Sequence, residues 1–146
     1  MIRAAILAAP LLLVTAAAHA HCSVTATPVN FGIYLPFSAT PTDSTGSVKV
    51  DCVVGVGDYT VALSVGGGGT FAGRRMSSGG ARLSYQLYST ASRSTVWGDG
   101  TAGTVIVSGD CPPGCETSFT VYGRIPTKQA AVPGTYIDTI VATVTF

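Results

Sequence analysis

The sequence predicts an all-β fold, an antiparallel sandwich of about seven short strands. Three observations carry that reading. Apolar and polar residues alternate with period two in one short run after another, with Gly, Pro and Asp between the runs. No stretch beyond the first twenty residues sustains a 3.6-residue period. The last run, residues 136–146, reads as a strand reaching the final residue, with Ile140, Ala142, Val144 and Phe146 on one face and Thr139, Val141, Thr143 and Thr145 on the other. A strand that stops on an aromatic side chain, with no turn or partner after it, leaves a two-sheet protein short of the strand that would close its core.

Residues 1–20 are expected to be a signal peptide. They hold Arg3, an apolar stretch over 4–14 and an Ala18-His19-Ala20 cleavage pattern. The run is too short, and too rich in small residues at its end, for a membrane span. The mature chain is then residues 21–146, about 126 residues, enough for one domain with a real core.

The strands follow in order. Cys22, Val24 and Ala26 alternate with Ser23, Thr25 and Thr27 until Pro28 breaks the run ahead of Val29-Asn30-Phe31-Gly32. Val48, Val50 and Cys52 alternate with Ser47, Lys49 and Asp51, and Tyr59, Val61, Leu63 and Val65 with Thr60, Ala62 and Ser64. Residues 66–69 and 77–80 read as flexible loops on either side of Phe71 and Arg74-Arg75-Met76, with the two arginines as a solvated pair. Leu83, Tyr85 and Leu87 alternate with Arg82, Ser84 and Gln86, and residues 104–107 form a short apolar run. Trp97 is expected to pack beside the Asp99-Gly100 turn. Phe119, Val121 and Gly123 alternate with Thr120, Tyr122 and Arg124, with Gly123 allowing close approach of backbone. Pro133-Gly134 turns the chain into the last strand.

Composition excludes several classes. Without Arg3 the chain carries seven Lys/Arg against seven Asp/Glu, so it has no basic footprint for nucleic acid and no polybasic membrane patch. The mature chain has one histidine, His21 at its start, which is too poorly anchored to serve a catalytic triad. No close carboxylate pair stands out, and Gly66-Gly67-Gly68-Gly69 lacks the Lys-Ser/Thr of a phosphate loop. The chain is expected not to be an enzyme, and to use no cofactor and no metal.

All four cysteines, Cys22, Cys52, Cys111 and Cys115, follow the signal peptide, which argues for two disulfides made in an oxidising compartment. Three pairings are open. The favoured one joins Cys22 to Cys52, stapling the first strand to the second, and Cys111 to Cys115, around Pro112-Pro113-Gly114. Cys22 and Cys52 lack the paired spacing of a zinc site.

Several of these segments, taken in order, resemble a known family. They are Cys22 with Val29-Asn30-Phe31-Gly32-Ile33-Tyr34, Gly46-Ser47-Val48-Lys49-Val50-Asp51-Cys52, Tyr59-Thr60-Val61-Ala62-Leu63-Ser64, Arg75-Met76, Leu83-Ser84-Tyr85-Gln86-Leu87-Tyr88, Trp97-Gly98-Asp99-Gly100, Tyr122-Gly123-Arg124-Ile125 and the ending from Gly134 to Phe146. Together they resemble the spore coat protein U-like domain, the family of the archaic chaperone–usher pilins. The resemblance implies an immunoglobulin-like sandwich lacking its last strand. It implies partners in a periplasmic chaperone that lends a strand, an outer-membrane usher that exchanges it, and other pilin subunits. Such a protein is secreted through the periplasm to a surface pilus, where it is structural or serves adhesion and biofilm formation. Ile140, Ala142, Val144 and Phe146 would line the groove that takes the borrowed strand.

Pilins of this kind carry a donor segment ahead of the first strand. A chain starting at His21 has none, so it is expected to accept a strand without donating one, at a pilus end such as the tip. Receptor contacts there would come from residues 66–80 and 96–103. The competing reading is a secreted or coat-associated binding module that folds by itself.

Overall fold

The computed structural model describes residues 22–146. Residues 1–21, over which the sequence leads one to expect a signal peptide and His21 as the first mature residue, lie outside the described residues. Among the described residues nine strands follow in chain order: β1 (Cys22–Thr27), β2 (Thr42–Cys52), β3 (Gly57–Leu63), β4 (Arg75–Ser78), β5 (Ala81–Ser84), β6 (Gln86–Tyr88), β7 (Val107–Cys111), β8 (Cys115–Ile125) and β9 (Ala142–Thr145). One sheet runs β1-β2-β8-β6, a second runs β7-β3-β9, and β4-β5 form a separate hairpin. Every strand pair is antiparallel. The fold is the all-β antiparallel sandwich expected from the alternation, of the immunoglobulin-like kind that the resemblance implies. Among the described residues no helix is long and apolar enough to cross a membrane.

The core lies where the two sheets face each other. Val50 and Val61 are fully buried, and Tyr59, Trp97 and Ile125 nearly so. Trp97 fills the interior beside its turn, and its indole Nε1–H donates to the Val61 carbonyl at 2.9 Å. That bond is required because an unpaired indole N–H in an apolar core carries a desolvation cost.

The structure departs from the sequence reading at several points. Residues 77–80 belong to the β4–β5 hairpin, in which Gly79 takes the left-handed conformation that most residues avoid. The run over 82–87 is two strands, because the chain changes sheets at Tyr85: β5 pairs with β4, β6 pairs with β8, and the Tyr85 N–H turns to the Arg74 carbonyl at 3.1 Å. The strand expected over 104–107 begins at Val107 and continues to Cys111. The last strand covers only Ala142–Thr145. Its partner β3 ends at Leu63 and the chain then turns away through the 3-10 turn Gly66–Gly68, so upstream residues find only single partners in Ser64 and Ser77. Finally, Arg74 is not solvated: it has no exposed surface, whereas its neighbour Arg75 faces solvent.

Both favoured disulfides are present. Cys22 and Cys52 face each other in the β1–β2 register, and Cys52 faces Cys115 in the β2–β8 register. Cys111–Cys115 ties β7 to β8 and so joins the two sheets. The sulfurs of Cys52, Cys111 and Cys115 all lie within 4.8 Å of one another. Loop entropy predicts that removing Cys22–Cys52, which closes a separation of 30 residues, costs more than removing Cys111–Cys115, which closes 4. Paired Cys→Ala substitutions are expected to lower unfolding free energy by roughly 3–4 kcal/mol for the first and about 2 kcal/mol for the second. Denaturant melts of the two double variants check the order.

Candidate functional site

The chain leaves its sheets in two places, and between those places lies an open groove of about 1070 Å³. One wall follows β1, over residues 26–36, and the other leads into β9, over residues 131–142. Leu63, Leu83, Tyr85, Leu87, Val121 and Ile125 form the floor.

The first wall forms because Pro28 offers no N–H to the ladder and ends β1 at Thr27. Val29 and Phe31 then drop onto the bare backbone of Gly123, where a Cβ would stand 2.6 Å from Val29 and 2.7 Å from Phe31. The close approach at Gly123 is therefore made by two side chains and not by a backbone. The Phe31 ring meets Tyr85 edge-on at 6.1 Å. The Tyr34 hydroxyl anchors the far end, donating to the Pro126 carbonyl and accepting from the Gln129 N–H. Among the described residues, the hydrogen bonds on the main chain of residues 29–34 are Gly32 N–H to Asn30 Oδ1 and Ser44 Oγ–H to the Asn30 carbonyl. The rest of that edge is open to a strand.

The second wall is fastened on one side only. Ile137 exchanges both main-chain hydrogen bonds with Ser77, at 2.8 and 3.0 Å, and Val141 takes the Ser64 N–H at 2.9 Å. In an extended chain alternate residues point their polar groups to opposite sides. The main-chain groups of Tyr136, Asp138 and Ile140 therefore face the groove.

A polar clasp centres on Asp138 in this wall. Asp138 Oδ1 accepts the Gly67 and Thr139 N–H groups, each at 2.8 Å, and Oδ2 accepts the Tyr85 hydroxyl at 2.6 Å. Burial, then the hydrogen bond to Asp138, push the Tyr85 phenol well above its usual value. Beneath it the Arg74 guanidinium donates to the carbonyls of Ser64 and Trp97 and to Gln86 Oε1, and lies over the Phe71 ring at 5.3 Å. Burial lowers its pKa, which Tyr85 and then Asp138 partly offset. The four-glycine stretch is thus held in a fixed turn against Asp138.

Of the four groove residues expected from the sequence, Ile140 and Ala142 line the cavity. Val144 pairs with Val61 farther along β9 and packs into the core. Phe146 lies past the strand end, half exposed, with its ring 5.9 Å from Tyr59. Residues 66–80 and 96–103 contribute Arg74 and Trp97 to the interior. Tyr85 falls on the inward side of its alternating run, and Val29 and Phe31 stand in a family motif, but the place of these three and of Asp138 in the groove escapes a reading by period and motif. The one available signal is that Asp138 shares the face of Ile140 and Ala142. Large apolar side chains are exposed at and next to both walls: Ile33 is 84% and Phe37 99% exposed, with Leu35 and Val132 above half.

Gly123→Leu is expected to push Val29 and Phe31 off the sheet and deform the first wall. Overpacking of this kind costs about 1–3 kcal/mol. Comparing its denaturant midpoint with that of Gly80→Leu, where a side chain has open space, isolates the effect.

Comparisons with known proteins bear on what such a groove is for. A family model described as Spore Coat Protein U domain matches residues 8–143. Protein U of Myxococcus xanthus is 37% identical over 131 residues, covering 81% of this chain and 71% of that protein. Among solved structures, the chaperone–tip adhesion subunit pre-assembly complex CsuC–CsuE, from archaic chaperone–usher Csu pili of Acinetobacter baumannii, matches with a TM-score of 0.61 and 26% identity. That match covers 87% of this chain and 40% of the other, so this chain spans less than half the length of the solved protein.

Proposed function

Since the chain belongs to the Spore Coat Protein U domain family, we propose that it is a subunit of a chaperone–usher surface pilus whose groove takes an extended segment from another polypeptide. The family and the fold are those of a structural pilus subunit and not of an enzyme family. The single observation that carries the reading is the groove itself: about 1070 Å³, floored by apolar side chains, with unpaired main-chain edges on both walls. One added strand would satisfy both edges and place alternate side chains over Leu83, Leu87 and Val121, which is strand addition in its ordinary form.

The lender is first a periplasmic chaperone and then a neighbouring subunit, with an outer-membrane usher exchanging one for the other. The similarity to a chaperone–subunit pre-assembly complex supports the chaperone as a partner. It implies passage through the periplasm to the cell surface, and the two disulfides suit that route.

The test adds a strand in cis. A segment of alternating Val and Thr, about a dozen residues long to match the wall over 131–142, follows Phe146 through a flexible linker. The fused chain is expected to be monomeric and stable, and the unfused chain to aggregate unless a chaperone accompanies it. An unfused chain equally monomeric and stable overturns the proposal and favours a self-folding module.

A further inference from the structure

Asp138 is the one charged residue lining the groove among the described residues. It stands on the face shared by Tyr136, Ile140 and Ala142, where the strand pattern calls for an apolar side chain. Its carboxylate is held by three neutral donors, Gly67 N–H, Thr139 N–H and the Tyr85 hydroxyl. None of the described ion pairs includes it. Arg74 acts on it through space, but the guanidinium is buried beneath the floor and its donors go to Ser64, Gln86 and Trp97. A segment entering the groove therefore meets a negative charge that hydrogen bonds stabilise and no ion pair cancels.

Gly66 makes this placement possible. Its backbone lies against the carboxylate and Ile140 with no room for a Cβ, and it takes a left-handed φ of 68°. The acid is thus built into the groove edge. An inward charge on an open edge is a known way to restrict which strands may pair with it.

We propose that Asp138 is a specificity residue of the groove. It favours a segment with Lys or Arg at the inward position facing it, tolerates a neutral donor there, and turns away Asp or Glu. The inference rests on the strand-acceptor reading. A strand beside residues 136–142 sends every second side chain inward, so one of them stops opposite or diagonal to Asp138. There a like charge in partly desolvated surroundings is penalised and an opposite charge is rewarded.

The experiment uses the fused Val/Thr strand. Each inward position in turn is made Lys, Gln or Glu, and the melting midpoint is read. The expected result is one position where the Lys chain melts at least about 5 °C above the Glu chain, with Gln between them. In Asp138→Asn, which keeps the Oδ1 acceptor for both N–H groups, that gap shrinks toward zero. A merely structural role for Asp138 would leave the gap in place. No gap at any position, or a gap that survives Asp138→Asn, overturns the inference while leaving the acceptor reading intact. If the all-Val/Thr strand gives no stabilisation, the acceptor reading fails and this inference with it.

Discussion

The strand fused after Phe146 is expected to raise the melting midpoint by roughly 10–30 °C over the unfused chain. The size of the effect follows from how much one strand would complete. It would cover the apolar floor at Leu63, Leu83, Leu87, Val121 and Ile125 and give partners to main-chain groups on both walls. Contact buries apolar surface on the strand and on the groove together, so each inward side chain acts twice. The linker keeps the strand at an effective concentration in the millimolar range, so it binds without a diffusing partner. Calorimetry of the two chains, with the disulfides intact, measures it. A rise below about 5 °C would mean that the walls already close on themselves.

Arg74→Met is expected to remove at least about 3 kcal/mol, enough to abolish accumulation of the chain in cells. The side chain has no exposed surface, and its donors reach acceptors from three separate stretches of chain, at Ser64, Gln86 and Trp97. Met fills much of the same volume but supplies no N–H. The Ser64 carbonyl then loses two donors and the Trp97 carbonyl one. Arg74→Lys keeps the charge on a stem that cannot fork to all three, and is expected to fall between Met and wild type. Urea melts of the strand-fused chain give the order. A Met variant within about 1 kcal/mol of wild type would show that water replaces the guanidinium without penalty.

These residues also show where the sequence was legible. Val48, Val50, Tyr59, Val61, Leu63 and Val121 sit inward as their alternation requires, because in a strand the pattern and the burial are the same two-residue period. Of the three pairings left open, the favoured one is present, since neighbouring strands bring Cys22 and Cys52 face to face and a tight loop brings Cys111 back to Cys115. Arg74 could not be read this way. Its partners stand 10, 12 and 23 residues away, and a pair of arginines between glycine-rich stretches looks the same whether one is buried or both are wet. The groove was half legible. Ile140 and Ala142 share a face of the terminal run, whose period is plain even though β9 itself starts at Ala142, but the opposite wall depends on Val29 and Phe31 leaving their sheet to settle on Gly123. That is a tertiary event with only Pro28 to announce it. The terminal strand itself is shorter than its alternation suggests, since period two marks a face and not the presence of a ladder partner.

The three sulfurs gathered at one end of the sandwich have a consequence for biogenesis. Cys52, Cys111 and Cys115 lie within 4.8 Å of one another, and Cys22 is bonded to the first of them. A thiolate released at any of these positions finds another S–S bond within reach of a side-chain rotation, so mispaired isomers are immediate neighbours of the native one. Oxidant alone would leave a mixture. Refolding of the reduced chain is expected to give more of the native pairing with a thiol–disulfide shuffling couple than with oxidant alone.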